Sequence, residues 1–170
     1  MNNPEALRVV RVLEGTSVDG PGLRTSIYFA GCAHRCTGCH NEHTWDFAAG
    51  RDMTVDEIMA TVGYNGFPVT FSGGDPLYQA GRLVPLARAI RSLGLGIWCY
   101  TGFTYEELAA DPQYSELLAL IDVLVDGPYV AALRDTSLLF RGSSNQRLID
   151  LNRTREAGHV VLYEADTAVG

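Results

Sequence analysis

Three cysteines, Cys32, Cys36 and Cys39, fall within eight residues in the run Cys32-Ala-His-Arg-Cys36-Thr-Gly-Cys39. Thiolates are soft ligands, and three on one tight loop can take three corners of a cubane iron–sulfur cluster. The fourth iron is then left without a protein ligand. A molecule carrying an amine and a carboxylate can chelate it, which places a nearby sulfonium for one-electron reduction. Zinc is the competing chemistry; it needs a fourth ligand, which His34, His40 or His43 could supply. Cys99 could complete a four-cysteine cluster, although its apolar setting in Gly96–Tyr100 fits a buried structural thiol. A disulfide framework would spread its cysteines along the chain rather than crowd them.

A second candidate segment is Gly73-Gly74-Asp75. It is either a tight turn closing a strand or a place where the backbone comes close to a ligand. Asp126 ends an apolar run and could orient a ligand or cap a turn. Arg141 and Arg147 flank a Gly-Ser-Ser-Asn loop that could cap a helix, meet a carboxylate or touch a partner. Asp19 and Arg24 bracket a glycine-proline segment that could meet a partner's backbone or seal a turn. No paired acid and base and no Ser-His-Asp arrangement is evident.

The elements that must position these residues alternate. Thr25–Ala30 reads as a strand ending at Gly31, just ahead of the first cysteine. Thr54–Val62 reads as a helix opened by a capping box of Thr54 and Glu57. The strand Pro68–Ser72 ends at the glycine pair, and Leu77–Leu93 is a helix stopped by Gly94. Gly96–Tyr100 is the next strand; Thr104–Ala110 and Ser115–Leu120 are helices separated by Pro112. Asp122–Val125, Ser137–Arg141 and Val160–Glu164 complete the expected strands. Strands alternating with helices predict βαβ units and a mostly parallel sheet, whose ligands sit at the carboxyl ends of the strands. A chain of 170 residues falls short of the roughly 200 of a closed eight-stranded barrel. The expectation is one α/β domain over 1–170, a partial, open (β/α) barrel. Its core spans about 16–150, followed by a short C-terminal extension.

Net charge is −7, which argues against a nucleic-acid backbone as partner. All 13 basic residues are arginine, so no lysine Schiff base can form. No apolar run approaches the roughly 20 residues that span a bilayer. Residues 1–8 hold Glu5 and no apolar signal core, so the expected location is cytoplasmic.

The cysteine spacing is the signature of the radical-SAM superfamily, and the chain resembles it. Val18-Asp-Gly-Pro-Gly-Leu-Arg24 and Cys39-His-Asn-Glu-His-Thr-Trp45 resemble the activating enzymes of glycyl-radical enzymes. Gly31–Cys39, Ser72–Leu77, Val123–Gly127 and Arg141–Gln146 are most similar to activating proteins of anaerobic ribonucleoside-triphosphate reductases. The short length also fits that branch better than the longer pyruvate formate-lyase activases.

The resemblance implies an oxidoreductase-type enzyme of the radical-SAM fold. Cys32, Cys36 and Cys39 would hold a [4Fe–4S] cluster, with S-adenosyl-L-methionine as second cofactor. Gly73, Gly74 and Asp75 match the motif that receives the methionine amine, with Asp75 in place of the usual glutamate. Gly38, Cys39 and His40 would line the adenine side, Gly38 standing where many relatives carry an aromatic residue. The implied partners are the glycyl-radical subunit of the reductase and a flavodoxin-like or other one-electron donor, with a homodimer or a complex with the reductase as the assembly. Activation of another glycyl-radical enzyme is the neighbouring alternative; a zinc or electron-transfer module is the non-catalytic one.

Overall fold

The computed structural model describes residues 3–164; the last six residues of the expected C-terminal extension lie outside that range. Its strands are β1 (Leu7–Thr16), β2 (Arg24–Phe29), β3 (Arg51–Met53), β4 (Val69–Gly73), β5 (Ile97–Tyr100), β6 (Val123–Asp126) and β7 (Arg147–Asp150). They form one sheet in the order β3-β1-β2-β4-β5-β6-β7. The four central strands β2, β4, β5 and β6 run parallel. Both flanks are antiparallel, with β1 between β3 and β2, and β7 on β6. The ends of the order do not meet, so the α/β sheet is open, as a partial barrel requires.

The helices are α1 (Val55–Asn65), α2 (Ala80–Ser92), α3 (Tyr105–Ala109), α4 (Ser115–Leu118) and α5 (Leu151–Ala157). Thr54 and Glu57 close the expected capping box on α1, and Thr104 and Glu107 close another on α3. Among the described residues no helix is long and apolar enough to cross a membrane.

Side chains alternate between faces along each strand. Val69, Phe71, Ile97, Cys99, Leu124 and Ile149 join the helices in the main core. Trp98, Val123, Val125 and Leu148 form a second cluster with Tyr100, Phe140 and Tyr163. That second face is the one from which a ligand can be reached.

Four expectations change. The helix over Leu77–Leu93 begins as a 3-10 turn, Pro76–Gln79, capped by Asp75, before α2 starts. Residues 137–141 are not a strand; Phe140 has a left-handed backbone (φ 58°) that breaks extension. Residues 160–164 contribute a single bridge, Leu162 to Ile149, rather than a strand. β1, β3 and β7 emerge where no strand was expected. β1 carries Arg8 and Arg11 within its apolar run and two register shifts against β2, which blur its alternation.

Candidate metal centre

The cysteine loop leaves β2 at Gly31. Its entry is held by Gly31 N–H to the Thr44 carbonyl (2.7 Å) and Cys32 N–H to the Trp45 carbonyl (3.0 Å). Cys39 N–H closes a turn onto the Cys36 carbonyl (3.1 Å), and the Asn41 N–H donates to Cys39 Sγ (3.4 Å). Gly38 takes the left-handed conformation in that turn (φ 78°), which glycine adopts without strain.

Cys32, Cys36 and Cys39 are all free and partly exposed. Burial and then the negative charge of Asp75 push the Cys32 thiol up, offset in part by the His34 N–H; a metal would have to displace that proton. Cys99 is also free but fully buried in the helix-covered core, and burial raises its thiol well above the usual range. Among the described residues no three His, Cys, Asp or Glu side chains already converge on a single ion. The donor set is three soft, unpaired thiols on one loop, the ligand chemistry of an iron–sulfur cluster.

Gly73 ends β4 with φ 101°, and a Cβ there would lie 2.3 Å from the Phe29 amide nitrogen. The Gly74 N–H donates to the Phe29 carbonyl (2.8 Å) and the Asp75 N–H to the Gly31 carbonyl (2.8 Å). The glycine pair therefore runs hard against the chain that feeds the cysteine loop. Asp75 is fully buried, and its carboxylate is filled by protein donors. Oδ1 accepts from Leu77 N–H (3.0 Å); Oδ2 accepts from His34 Nε2 (2.7 Å), Thr101 Oγ1 (2.9 Å) and Gly102 N–H (2.9 Å).

A cleft of about 390 Å³ opens beside Cys39 and His40. Asp19, Ser72, Tyr100 and Arg141 also line it. The structure brings Cys39 and His40 to this wall; Gly38, Gly73, Gly74 and Asp75 do not line it. Its far side is a strap, residues 128–146, that leaves β6 and returns to β7. Tyr129 of the strap meets the His40 ring (centroids 5.9 Å), and Phe140 sits edge-on to Trp98 (5.5 Å). The Tyr100 hydroxyl donates to the Phe140 carbonyl (2.6 Å), pinning the strap across the sheet. Ser72, Tyr100 and Phe140 were not singled out from the sequence. The i, i+2 alternation of β4 and β5 carries the signal for the first two.

The remaining candidates hold structure. The buried Asp126 caps the entry to α3 through Tyr105 N–H (2.8 Å) and pairs with Arg147 (2.5 Å). Gln146 Oε1 accepts from Gly142 and Ser143 N–H (3.0 and 3.1 Å), which ties the Arg141–Gln146 loop to itself. Buried Arg24 donates to Thr70 Oγ1 (2.8 Å) and the Val69 carbonyl (3.0 Å). Asp19 accepts from the Tyr28 hydroxyl (2.5 Å).

Known proteins are similar to this chain. Residues 18–149 match the family model described as a 4Fe-4S single cluster domain. The anaerobic ribonucleoside-triphosphate reductase-activating protein of Escherichia coli strain K12 is 38% identical over 139 residues, covering 76% of this chain and 89% of that protein. Its namesake in Haemophilus influenzae is 35% identical over 141 residues, covering 76% of this chain and 88% of that protein. That of Enterobacteria phage T4 is 36% identical over 140 residues, covering 77% and 86%. The crystal structure of QueE from Escherichia coli superposes with a TM-score of 0.50 at 19% identity, over 59% of this chain and 54% of that one, a likeness of fold. With the family model spanning the cysteine loop, the glycine pair and the strap, and these relatives each matching about three quarters of its length, the chain belongs to the 4Fe–4S family of anaerobic ribonucleoside-triphosphate reductase-activating proteins.

Proposed function

We propose that the chain is a radical-SAM activase that generates a glycyl radical on an anaerobic ribonucleoside-triphosphate reductase. Cys32, Cys36 and Cys39 hold its [4Fe–4S] cluster, and S-adenosylmethionine occupies the cleft beside them. The observation that carries this reading is three unpaired thiols on one loop, the last of them on the wall of a cleft large enough for a nucleoside-sized ligand.

When bound, the cluster supplies the electron that splits S-adenosylmethionine into methionine and a 5′-deoxyadenosyl radical, which takes a hydrogen atom from a glycine Cα of the partner. The protein's own residues bind, orient and shield. Gly38, Cys39 and His40 take the adenine side. By the resemblance the segment Gly73–Asp75, which follows Ser72 of the cleft wall, takes the methionine amine; the Asp75 carboxylate already accepts from four donors and its carbonyl from the Tyr78 N–H, so the Gly73 and Gly74 carbonyls are the acceptors. Tyr129 and Phe140 keep water from the reacting atoms on the strap side, which a reactive alkyl radical demands. A glycine-bearing loop of the reductase enters from the open side of the sheet.

By the family resemblance, the electron donor is flavodoxin-like or another one-electron carrier. The working assembly is a homodimer or a complex with the reductase. Four unpaired cysteines fit a reducing cytoplasm.

The test is anaerobic reconstitution with iron and sulfide. Roughly four irons per chain, methionine release from S-adenosylmethionine and a glycyl-radical doublet on the reductase are expected. Cys36→Ala should lose iron and cleavage together. One zinc per chain with no cleavage overturns the reading, and a radical raised only on a different glycyl-radical enzyme moves the partner assignment.

A further inference from the structure

Beyond its entry, the cysteine loop is tied to other elements by few contacts: Arg35 lies over the Trp45 ring (5.6 Å), and the His34 ring makes a side-chain hydrogen bond into the sheet edge. Its Nε2 lies 2.7 Å from Asp75 Oδ2. A carboxylate only accepts, so Nε2 carries the proton it shares. The ring is seated as well as bonded. Phe103 meets it edge-on at 4.6 Å and Tyr78 flanks it at 5.6 Å. Gly102 is so close beneath it that a methyl there would fall 2.6 Å from the ring. The same Asp75 oxygen also takes Thr101 Oγ1 and Gly102 N–H from the end of β5, and Oδ1 takes Leu77 N–H beyond β4. One buried carboxylate thus ties three loops at the carboxyl edge of the sheet: the cysteine loop, the glycine-pair loop and the β5 turn.

We infer that His34 is a positioning residue, whose hydrogen bond to Asp75 fixes the cysteine loop against the segment that receives the methionine amine. The two halves of the site then hold one spacing. Aspartate suits this post better than glutamate, since the shorter side chain turns back to its own turn and to His34 instead of reaching into the cleft. The inference rests on the cluster reading above, and its test is arranged so that the two can fail separately.

His34→Gln and His34→Asn are both amides. Glutamine carries its donor about as far from the backbone as Nε2 and can still meet Asp75; asparagine stops about one methylene short. Loss of ring packing alone would affect them alike, so reach decides between a positioning role and filler. After anaerobic reconstitution, H34N is expected to surrender iron to a ferrous chelator at least about tenfold faster than the parent, with H34Q within about threefold of it. The electron-paramagnetic-resonance change that S-adenosylmethionine produces in the reduced protein should need more ligand in H34N and not in H34Q. Equal behaviour of the two variants, fast or slow, overturns the inference.

A second readout needs neither iron nor a variant. In the metal-free parent, the His34 ring proton on Nε2 should be slowed in exchange with water and should show nuclear Overhauser contacts to Gly102 and Phe103, which seat the ring. A freely exchanging ring without those contacts overturns the tether even if no cluster ever forms. A parent that binds no iron but keeps the protected, seated ring overturns the cluster reading alone.

Discussion

At the scale of single residues, the buried Asp75 carboxylate joins segments that lie far apart along the chain. Three thiols at close spacing announce themselves in a sequence because their chemistry is local. Asp75 could be marked as a candidate, but its partners stand 41, 26 and 27 residues away, at His34, Thr101 and Gly102, and only the folded sheet brings them together. Tyr28 is a similar case. Its hydroxyl is buried against Asp19, and burial first, then that hydrogen bond, pushes its ionisation from 10.0 to about 12. The folded chain therefore keeps a proton that the unfolded chain releases between those two values. Stability is at its full value below pH 10 and falls as the pH climbs toward about 12. Urea unfolding on either side of that threshold checks it. Tyr28→Phe should be weaker by about 1 kcal/mol below pH 10, for the lost bond, and should show a shallower alkaline decline.

At the scale of elements, the four inner strands that could be read, β2, β4, β5 and β6, are short runs closed by turn residues and buried on both faces, the pattern of a covered parallel sheet. The edge strands leave little mark in the sequence, because an edge strand answers to its neighbour more than to its own composition. β7 is four residues, two of them charged, and is held by its pairing with β6. The apolar neighbours of Phe140 predict a strand, whereas its Tyr100 and Trp98 contacts hold it in a turn. Two substitutions test this level. Gly73→Ala would force a methyl into the β2 backbone at φ 101° and should cost at least about 2 kcal/mol, or prevent folding, as read by denaturant unfolding. Arg147→Met should cost about 2 kcal/mol in the same measurement, because it strands the buried Asp126 carboxylate with only the Tyr105 N–H. Arg147→Lys should recover part of that loss.

At the scale of the whole molecule, the core and the chemistry are kept apart. The buried apolar residues belong to the sheet, to the helices behind it and to the Trp98 cluster in front, and none comes from residues 32–43. Metal domains that gather their core around the ion are unfolded without it. Here the metal-free chain should melt cooperatively within about 5 °C of the loaded one, since the ligands add little buried surface; differential scanning calorimetry on both forms checks this. The partition has a consequence for the loss of iron through oxidation. Damage that strips the iron should leave an intact scaffold with its three sulfurs on an accessible loop, so that a spoiled molecule can be recharged rather than destroyed and remade.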